Sequence, residues 1–395
     1  MYKIAVLTSH PIQYQAPFFK KLANRPEIDL MVYFCWDFGV KESTYDSGFG
    51  RKIKWDIPLL DGYRFKFLKN FSSNPGSSKW YGEINPGIIS EVWRGEYDAI
   101  LIHGWNCLTK WLAFLVSFLS KTPVFLRGDN PSNQESLKSS FKIKIKKLIL
   151  GNLFKNISIF LYVGEENKKF FKYYGVSENK LIFCPHAIDN ERFLKEAEKI
   201  KPNKNEFKKE IGLNKDQTVI LFTGKLIEKK HPFDLLKAYQ RAANNSSKVA
   251  LVFVGDGALR PELEKYAKEH NLKNVHFVGF KNQTELPKYY TLADIFILPS
   301  GLGETWGLVV NEAMCFGLPI IVSDLVGCGP DLVKYGENGY IFPVRDIKKL
   351  TEYLLDLIQN PQKRKKFGKK SFEIIQNYSY EKGIEGILKA FSLLR

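Results

Sequence analysis

Short runs of β-branched and aromatic residues alternate with amphipathic stretches along most of the chain. Each run holds three to six residues and is followed by a polar or glycine-bearing loop. This pattern is typical of buried parallel strands covered by helices. The predicted strands are Lys3–Thr8, Asp29–Phe34, Ala99–Ile102, Val124–Arg127, Ile159–Val163, Leu181–Phe183, Val219–Thr223, Ala250–Val254, Val275–Val278, Ile295–Pro299, Pro319–Val322 and Tyr340–Phe342. Each half of the chain thus has enough strands for its own doubly wound α/β sheet.

The two halves are separated by the segment 195–205 (KEAEKIKPNKN), which has no buried run and carries Pro202. Such a composition is typical of a linker. We therefore predict a first domain over residues 1–194, a second over 206–376, and a C-terminal helix over 377–395 that crosses back to the first domain. Open α/β sheets bind ligands at the carboxyl ends of their strands. We expect both sheets to point those ends into a central cleft.

The composition is that of a folded protein without a membrane span. The chain has 395 residues, of which 44% are hydrophobic and 26% charged, so it can bury two cores. Its longest apolar stretch, Trp111–Leu119, is too short to cross a bilayer, and the opening MYKIAVLTSH is typical of a strand rather than a signal peptide. The five cysteines are far apart and indicate neither a disulfide framework nor a metal site. We expect a cytoplasmic protein.

The formal net charge of +17 indicates either an anionic partner or a lysine-rich solvated surface, and both interpretations stay open. The stretch 136–155 (SLKSSFKIKIKKLILGNLFK) interleaves six lysines with apolar residues. A basic amphipathic helix of this kind can lie on an anionic membrane. A lysine-faced helix that merely covers the first sheet is an equal alternative. Nucleic acid is not an expected partner, because the motifs below are typical of a small-ligand site.

The most specific motif is the segment 299–324, PSGLGETWGLVVNEAMCFGLPIIVSD. A strand ends at Pro299, a glycine-bearing loop follows, and a helix is predicted to begin near Gly307 or Leu308 and to stop at Gly317. Free amides at a helix start, together with the helix dipole, form a site for a diphosphate. The amides in question are those of Gly307, Leu308 and Val309.

Two glutamates belong to the same segment. Glu304 lies in the loop, where its carboxylate can face a sugar, and Glu312 lies on the helix, where it can accept hydrogen bonds from a ribose diol. Taken alone, a glutamate near a helix start is often only a partner of the helix dipole. The loop-and-helix frame favours the binding role.

A second motif follows the predicted strand Val219–Thr223. Gly224 permits a close approach of the backbone to a ligand, and Lys225 and Lys230 follow it. Two ammonium groups at a strand end can stabilise the charge of a departing diphosphate. Ordinary surface lysines are the alternative.

Two further loops carry weaker signals. The turn Gly255–Gly257 (GDG) closes one strand and precedes a helix predicted near Arg260, but such turns are common. Gly279 and Phe280 end the next strand, and their loop can offer backbone groups to a nucleobase.

Polar residues also follow three strands of the first half. Because the carboxyl ends of parallel strands meet at one edge, these residues are predicted to form one binding face. They are His10, Gln13, Tyr14, His103, Arg127 and Asp129. A lone histidine at such a place is more often structural, so the grouping rather than any single residue supports the prediction.

In combination, these motifs resemble the retaining GT-B glycosyltransferases of family 4. The resemblance rests on GETWGLVVNEAMCFGLP, on the GK…K loop at Gly224–Lys230 and on VGDG at Val254–Gly257. CPHAIDNERF, at Cys184–Phe193, resembles the interdomain stretch of that family, and the opening HPIQYQAPFF resembles a subset of its members. The resemblance covers most of the second half and implies two Rossmann-like domains facing a cleft.

The resemblance also implies residue roles. Lys225 and Lys230 would hold the donor diphosphate, Glu304 the donor sugar and Glu312 the nucleotide ribose, while His103 would lie near the transferred sugar and the acceptor. There are departures from the family. Lysine stands at 225 where arginine is common, which gives up bidentate geometry but keeps the charge. His186-Ala187 replaces the usual Asn-Gly, so no catalytic role is assigned to that segment, and Trp306 replaces a smaller aromatic residue.

Sequence and resemblance together predict a retaining glycosyltransferase that uses a UDP- or GDP-sugar. No Asp-x-Asp metal motif is present, so metal-independent transfer without a cofactor is expected. The acceptor is expected to be a lipid-linked or polysaccharide glycan intermediate at the inner face of the cell membrane. The alternatives are a GT-B sugar-nucleotide epimerase or phosphorylase, which would need no separate acceptor, and a non-catalytic basic protein that binds membrane or nucleic acid.

Overall fold

The computed structural model describes residues 1–40, 44–77, 79–135, 137, 139–243 and 248–394. The chain divides into two compact units. The first comprises Met1–Thr44, Ile57–His186 and Tyr380–Arg395, and the second comprises Tyr45–Asp56 and Ala187–Ser379. The division differs from the predicted boundaries, and the first unit ends its middle segment at His186 rather than at residue 194. The predicted linker 195–205 is helical and lies within the second unit, and residues Tyr45–Asp56, called the strap below, group with the second unit as well.

Strands and helices alternate along the chain. The strands of the first half are β1 (Tyr2–Thr8), β2 (Ile28–Phe34), β3 (Thr44–Asp46), β4 (Arg51–Ile53), β5 (Arg64–Phe67), β6 (Ala99–His103), β7 (Val124–Gly128), β8 (Ile159–Tyr162) and β9 (Leu181–Phe183). Its helices are α1 (Ala16–Ala23), α2 (Gly87–Gly95), α3 (Leu108–Leu119), α4 (Ser140–Lys155) and α5 (Glu165–Tyr173).

The second half continues the alternation. Its strands are β10 (Thr218–Thr223), β11 (Val249–Val254), β12 (Val275–Phe277), β13 (Ile295–Leu298), β14 (Ile320–Ser323) and β15 (Gly339–Phe342). Its helices are α6 (Asn190–Ile200), α7 (Lys204–Glu210), α8 (Pro232–Ala243), α9 (Arg260–Glu269), α10 (Leu286–Leu292), α11 (Leu308–Cys315), α12 (Gly329–Leu332), α13 (Ile347–Gln359), α14 (Pro361–Ile375) and α15 (Tyr380–Ser392). Short 3-10 turns lie at Ser132–Gln134, Glu178–Lys180, Lys201–Asn203 and Glu228–Lys230.

The first unit is built on a parallel sheet of order β5-β2-β1-β6-β7-β8-β9. Helices α2 to α5 share one hydrophobic core with it, and α1 and α15 pack on the other side. The ring of Phe391 on α15 stacks on Tyr2 and meets Phe125 edge-on. The strand order reverses direction between β1 and β6, and ligands bind at such a switch point, outside the carboxyl ends of the strands.

The second unit is built on a parallel sheet of order β12-β11-β10-β13-β14-β15. Its central strands are almost wholly buried, because helices cover both faces of a parallel sheet. Its switch point lies between β10 and β13. The loop after β10 carries Gly224 and Lys225, and the loop after β13 carries Glu304.

All twelve predicted strands are present, with ends within one residue of the prediction. The sequence pattern missed β3 and β4, which form a two-stranded sheet, and β5, an edge strand. β5 reads RFKF and three of its four residues are exposed, so it has no buried run to reveal it. In the described part of the chain, no helix is both long enough and apolar enough to span a bilayer.

Candidate functional site

The loop after β13 leads into α11 through Gly307, which has φ +98°. A Cβ at this position would stand 2.8 Å from Leu298 Cδ2, so only glycine fits without strain. Helix α11 begins at Leu308, as predicted. The first amides of a helix have no acceptor within it, and among the described residues those of Gly307, Leu308 and Val309 donate to no acceptor. They form a group of unused donors at the switch point of the second sheet.

Lys230 and Glu304 form an ion pair beside this helix start. Their side chains are 12% and 10% exposed, so the pair is largely withdrawn from water. Burial alone would raise the pKa of Glu304, but the charges of Lys230 and Lys229 and a hydrogen bond from Lys230 hold that pKa below its ordinary value. Glu304 is therefore ionised at neutral pH, and its ion pair with Lys230 connects the loops after β10 and β13.

The second predicted lysine, Lys225, contacts the strap. Its Nζ lies 2.8 and 2.9 Å from the two carboxylate oxygens of Asp46 and 4.8 Å from the centre of the Phe49 ring. Its stem lies against Gly48, where a Cβ would stand 2.6 Å from Lys225 Cδ. The two lysines therefore have different partners: Lys225 pairs with Asp46 of the strap, and Lys230 pairs with Glu304.

The loops after β10 and β11 approach each other closely at Gly255, which has φ +140°. A Cβ there would stand 1.8 Å from the carbonyl oxygen of Gly224. The amide of Gly255 donates to the carbonyl oxygen of Gly279 at 2.9 Å, which adds the loop after β12. Phe280 in that third loop is ringed by strap residues: its ring centre is 5.0 Å from that of Phe49 and 5.1 Å from the guanidinium of Arg51.

Glu312 lies on the first turns of α11 and is 7% exposed. It accepts a hydrogen bond from the Tyr290 hydroxyl at 2.5 Å. Burial raises the pKa of Glu312 to about 7, although Tyr290, Arg192 and Gln283 lower it in part. At neutral pH this carboxyl is thus close to half ionised, unlike Glu304.

The first unit holds a cavity of about 310 Å³ at its own switch point. Residues after β1, β6, β7, β8 and β9 line it, as expected for the carboxyl ends of a parallel sheet. They are Tyr14, Gln15, His103, Gly104, Trp105, Asn106, Arg127, Gly128, Asp129, Asn130, Val163 and His186. Of the residues predicted for this face, His103, Tyr14, Arg127 and Asp129 are brought together, whereas His10 and Gln13 are not part of the lining.

His103 is the buried polar centre of this cavity. The pKa of His103 lies well below its ordinary value, first because the ring is buried and then because Arg127 and Lys110 are close. Gln15 Oε1 accepts a hydrogen bond from Thr8, and Gln15 Nε2 lies 3.1 Å from His103 Nδ1. The amide thus donates to Nδ1, which leaves the proton on Nε2. That Nε2 is buried without a hydrogen-bond partner among the described residues.

Other predicted residues have structural contacts. Arg127 donates to the carbonyl oxygen of Pro185 at 2.8 Å, so its charge secures the segment after β9. The His10 ring packs edge-on against Trp36 and Phe38. Burial raises the pKa of Tyr14, with Asp129 adding to the effect, so its hydroxyl stays protonated.

Several residues of these two sites were not predicted. They are Gln15, Trp105, Asn106, Asn130 and His186 in the cavity, and Asp46, Phe49, Arg51, Arg192, Gln283 and Tyr290 in the second unit. Those in the cavity lie within three residues of a strand end or next to a predicted site residue, so extending each predicted loop would have found most of them. Asp46 has a weaker signal, the glycine- and aromatic-rich stretch YDSGFG.

Helix α4 begins at Ser140. Ser136 and Lys138 of the predicted basic stretch lie outside the described residues. Its apolar residues form two opposite faces. Leu150, Leu153 and Phe154 are buried against the first sheet. The other face is exposed and consists of Phe141, Ile145, Leu148 and Ile149, with Lys142, Lys144 and Lys147 around it.

Comparison with known proteins finds a family model that matches part of the chain. Residues 203–374 match the model of the family described as Glycosyl transferases group 1, and this match lies within the second unit. Spore coat protein SA of Bacillus subtilis is 32% identical over 197 residues, which are 48% of this chain and 52% of that protein. An Escherichia coli protein named UDP-Gal:alpha-D-GlcNAc-diphosphoundecaprenol alpha-1,3-galactosyltransferase is 31% identical over 189 residues, 47% of this chain and 46% of that protein. The chain thus spans about half the length of these curated relatives.

Solved structures match the whole chain. HepE of Anabaena, crystallised with UDP and glucose, has a TM-score of 0.71 and 18% identity, and the match covers 99% of this chain and 100% of that one. The lipopolysaccharide outer core galactosyltransferase WaaB, in its apo form, has a TM-score of 0.67 and 14% identity, and the match covers 100% of both chains. At such identities the likeness shows the fold alone. The predicted fold class, GT-B with two Rossmann-like units, is confirmed.

Proposed function

From the match of residues 203–374 to the glycosyl transferases group 1 family, we propose that this protein moves a sugar from a nucleotide diphosphate, UDP or GDP, to an acceptor. The proposed transfer retains the anomeric configuration and needs no metal ion or other cofactor. The observation that carries the proposal is the grouping of Lys230, Glu304 and the unused amides of α11 at one switch point. Oriented amides and fixed cations are what a diphosphate requires.

Each residue of this group has a proposed task. The amides of α11 hold the diphosphate, and Lys225 and Lys230 neutralise the charge that develops as the sugar departs. These cations take the role that a metal ion has in other transferases, which is why metal independence is proposed. Glu304, ionised and fixed by Lys230, contacts the donor sugar. Glu312 accepts hydrogen bonds from the ribose hydroxyls, and the loop at Gly279 and Phe280 contacts the base.

The first unit is proposed to bind the acceptor and the reacting sugar. Neutral His103 offers the N–H of its Nε2 to a substrate oxygen, because this buried donor lacks a partner in the described protein. Buried donors of this kind cost free energy unless a ligand satisfies them. Retention follows from deprotonation of the acceptor on the same face by the departing phosphate, so no protein nucleophile is required.

The proposed acceptor is a lipid-linked or polysaccharide glycan intermediate, met at the cytoplasmic face of the membrane. The exposed apolar face of α4, with lysines around it, is a surface that anionic lipid can cover. The name of the Escherichia coli relative includes a diphosphoundecaprenol-linked sugar. Both observations support an acceptor that is presented at a bilayer.

A nucleotide panel with an excess of EDTA tests the donor half of the proposal. Ligands that bind only the native state raise its melting temperature. We expect UDP or GDP and their sugar conjugates to stabilise the wild type in EDTA, and Glu312→Ala to reduce the shift. No shift with any nucleotide would overturn the proposal. Proton NMR of the product then reports the anomeric configuration, and inversion would contradict the retaining mechanism.

The same donor, incubated without acceptor, separates a transferase from an epimerase or phosphorylase. We expect only slow hydrolysis of the donor in that assay. Full turnover of the donor alone would identify an epimerase, and turnover of a glycan that requires inorganic phosphate would identify a phosphorylase.

A further inference from the structure

The strap contacts two loops to which the proposed donor site is assigned. At one end Asp46 binds Lys225, and at the other Asp56 accepts hydrogen bonds from the amide and hydroxyl of Thr284. Between them, Phe49 and Arg51 surround Phe280. The strap therefore lies against both the diphosphate lysine and the base loop, although its residues are remote in sequence from either.

Asp46 takes the position that a phosphate group would take at Lys225. Both carboxylate oxygens are within hydrogen-bond distance of Nζ, at 2.8 and 2.9 Å. This is the contact that an anionic ligand offers a lysine, with a carboxylate in place of a phosphate. A diphosphate that binds Lys225 must therefore replace Asp46 or share the lysine with it.

The Asp46–Lys225 pair is arranged so that it can open. The side chains of Lys225 and Asp46 are 32% and 18% exposed, in contrast to the Lys230–Glu304 pair. Asp46 Oδ1 also accepts hydrogen bonds from the amides of Gly48 and Phe49, at 2.8 and 3.1 Å. The strap turn thus keeps its own support when Lys225 leaves, and the carboxylate stays close to receive the lysine again.

We propose that Asp46 competes with the donor diphosphate for Lys225 and thereby weakens the binding of the nucleoside diphosphate product and promotes its release. The inference rests on the donor site proposed above. As the diphosphate departs, the Asp46 carboxylate regains Lys225, so the cation is never left unpaired. Release of product often limits turnover in enzymes. A carboxylate that replaces the diphosphate at Lys225 lowers the barrier to that release.

Asp46→Asn tests this proposal with little risk to folding, because the asparagine oxygen still accepts from the amides of Gly48 and Phe49. UDP and GDP are the probes, with binding measured by calorimetry and dissociation by stopped flow. We expect the probe that binds to do so roughly fivefold more tightly, through slower dissociation, which is the size of one charge contact at the protein surface. Added salt should shrink the difference.

Two controls isolate the competition. Asp56→Asn removes a charge from the same strap but from a carboxylate that faces Thr284 rather than a cation, so it should leave the affinity unchanged. In a Lys225→Gln background, Asp46→Asn should have no effect. If the wild type binds UDP or GDP and Asp46→Asn binds it equally or more weakly, the inference is wrong while the donor site stands. If neither nucleotide binds the wild type, both proposals fail.

Discussion

The two candidate sites occupy equivalent points of two parallel sheets, yet they are built from opposite kinds of interaction. The site of the second unit is charged, with each lysine compensated by a carboxylate, Lys230 by Glu304 and Lys225 by Asp46. The cavity of the first unit is centred on neutral groups, because burial keeps His103 unprotonated and Tyr14 protonated. The switch point of a sheet thus determines where a site forms, whereas the residues of its loops determine whether the site is charged or neutral.

The comparison extends to the cations of each site. Arg127 lines the cavity, but its guanidinium is used to hold the backbone at Pro185. Lys225 and Lys230 instead contact carboxylates that an anionic ligand can replace or join. A cation in a candidate site is therefore informative only together with its partner. The four predictions below test this contrast, from the largest expected effect to the smallest.

Removal of the buried cation should have the largest effect. Lys230→Met leaves the Glu304 carboxylate buried and uncompensated, so we expect the free energy of unfolding to fall by about 3 kcal/mol. Urea denaturation at pH 7 measures it. Lys229→Met is the matched control and should cost much less, because that lysine is exposed, donates to the carbonyl oxygen of Gly303 and acts on Glu304 through its charge without a hydrogen bond to it. Adding Glu304→Gln to Lys230→Met should restore most of the loss, and no recovery would contradict the compensated pair.

In the first unit, loss of the neutral donor should reduce catalysis more than stability. We expect His103→Ala to lower kcat roughly 100-fold, the size typical of the loss of one positioned hydrogen-bond donor. His10→Ala is the control, because that ring packs on Trp36 and Phe38 outside the cavity. Steady-state rates with the identified donor and acceptor give the answer. Equal losses in both variants would show that the cavity has no special role.

Membrane binding should depend on the first unit alone. The double variant Phe141→Ser with Leu148→Ser removes two exposed apolar side chains from α4, and we expect roughly tenfold weaker sedimentation with phosphatidylglycerol vesicles. Phe372→Ser removes an exposed ring from α14 of the second unit and should change nothing. Equal binding by all three proteins would remove the support for a membrane-presented acceptor.

The smallest effect concerns the pH dependence of nucleotide binding. The pKa of Glu312 is about 7 in the free protein, and ribose hydroxyls donate to the ionised form, which lowers that pKa in the complex. Affinity should therefore rise with pH, by about threefold between pH 6.5 and 7.5. Glu312→Gln cannot ionise and should show a flat profile. Calorimetry at several pH values checks this, and a profile that falls with pH would contradict the ribose role.

The elements of the fold were predictable because their signals are local. A buried strand such as β11 is a continuous apolar run, and α11 is bounded by glycines that its turns require. The exposed edge strand β5 has no such signal, because half-solvated positions accept any residue that tolerates an extended backbone. The sequence pattern alone therefore predicted the main strands of both large sheets, but it did not predict the short strands β3, β4 and β5.

Pairing across the chain was not predictable in the same way. Asp46 and Lys225 are 179 positions apart, and no periodicity joins them. The pKa of Glu312 likewise depends on distant elements, because burial raises it while Tyr290 and Arg192, which other elements bring near, lower it in part. The sequence indicates which residue types follow each strand, but the partner of each charge is decided by how distant loops pack.

The contacts of Phe391 with Tyr2 and Phe125 have a consequence for synthesis on the ribosome. The first unit needs α15, whose residues are translated after those of the second unit, to cover part of one side of a sheet whose strands are translated before it. Until α15 is translated, the part of that side that α1 does not cover stays exposed in the nascent β1–β9 region, which is then at its most prone to aggregate or to recruit a chaperone. Most of the second unit is translated after the strands of the first, yet the second unit can complete its core before α15 is made. The two units are thus completed in the reverse of the order in which their sheets are translated.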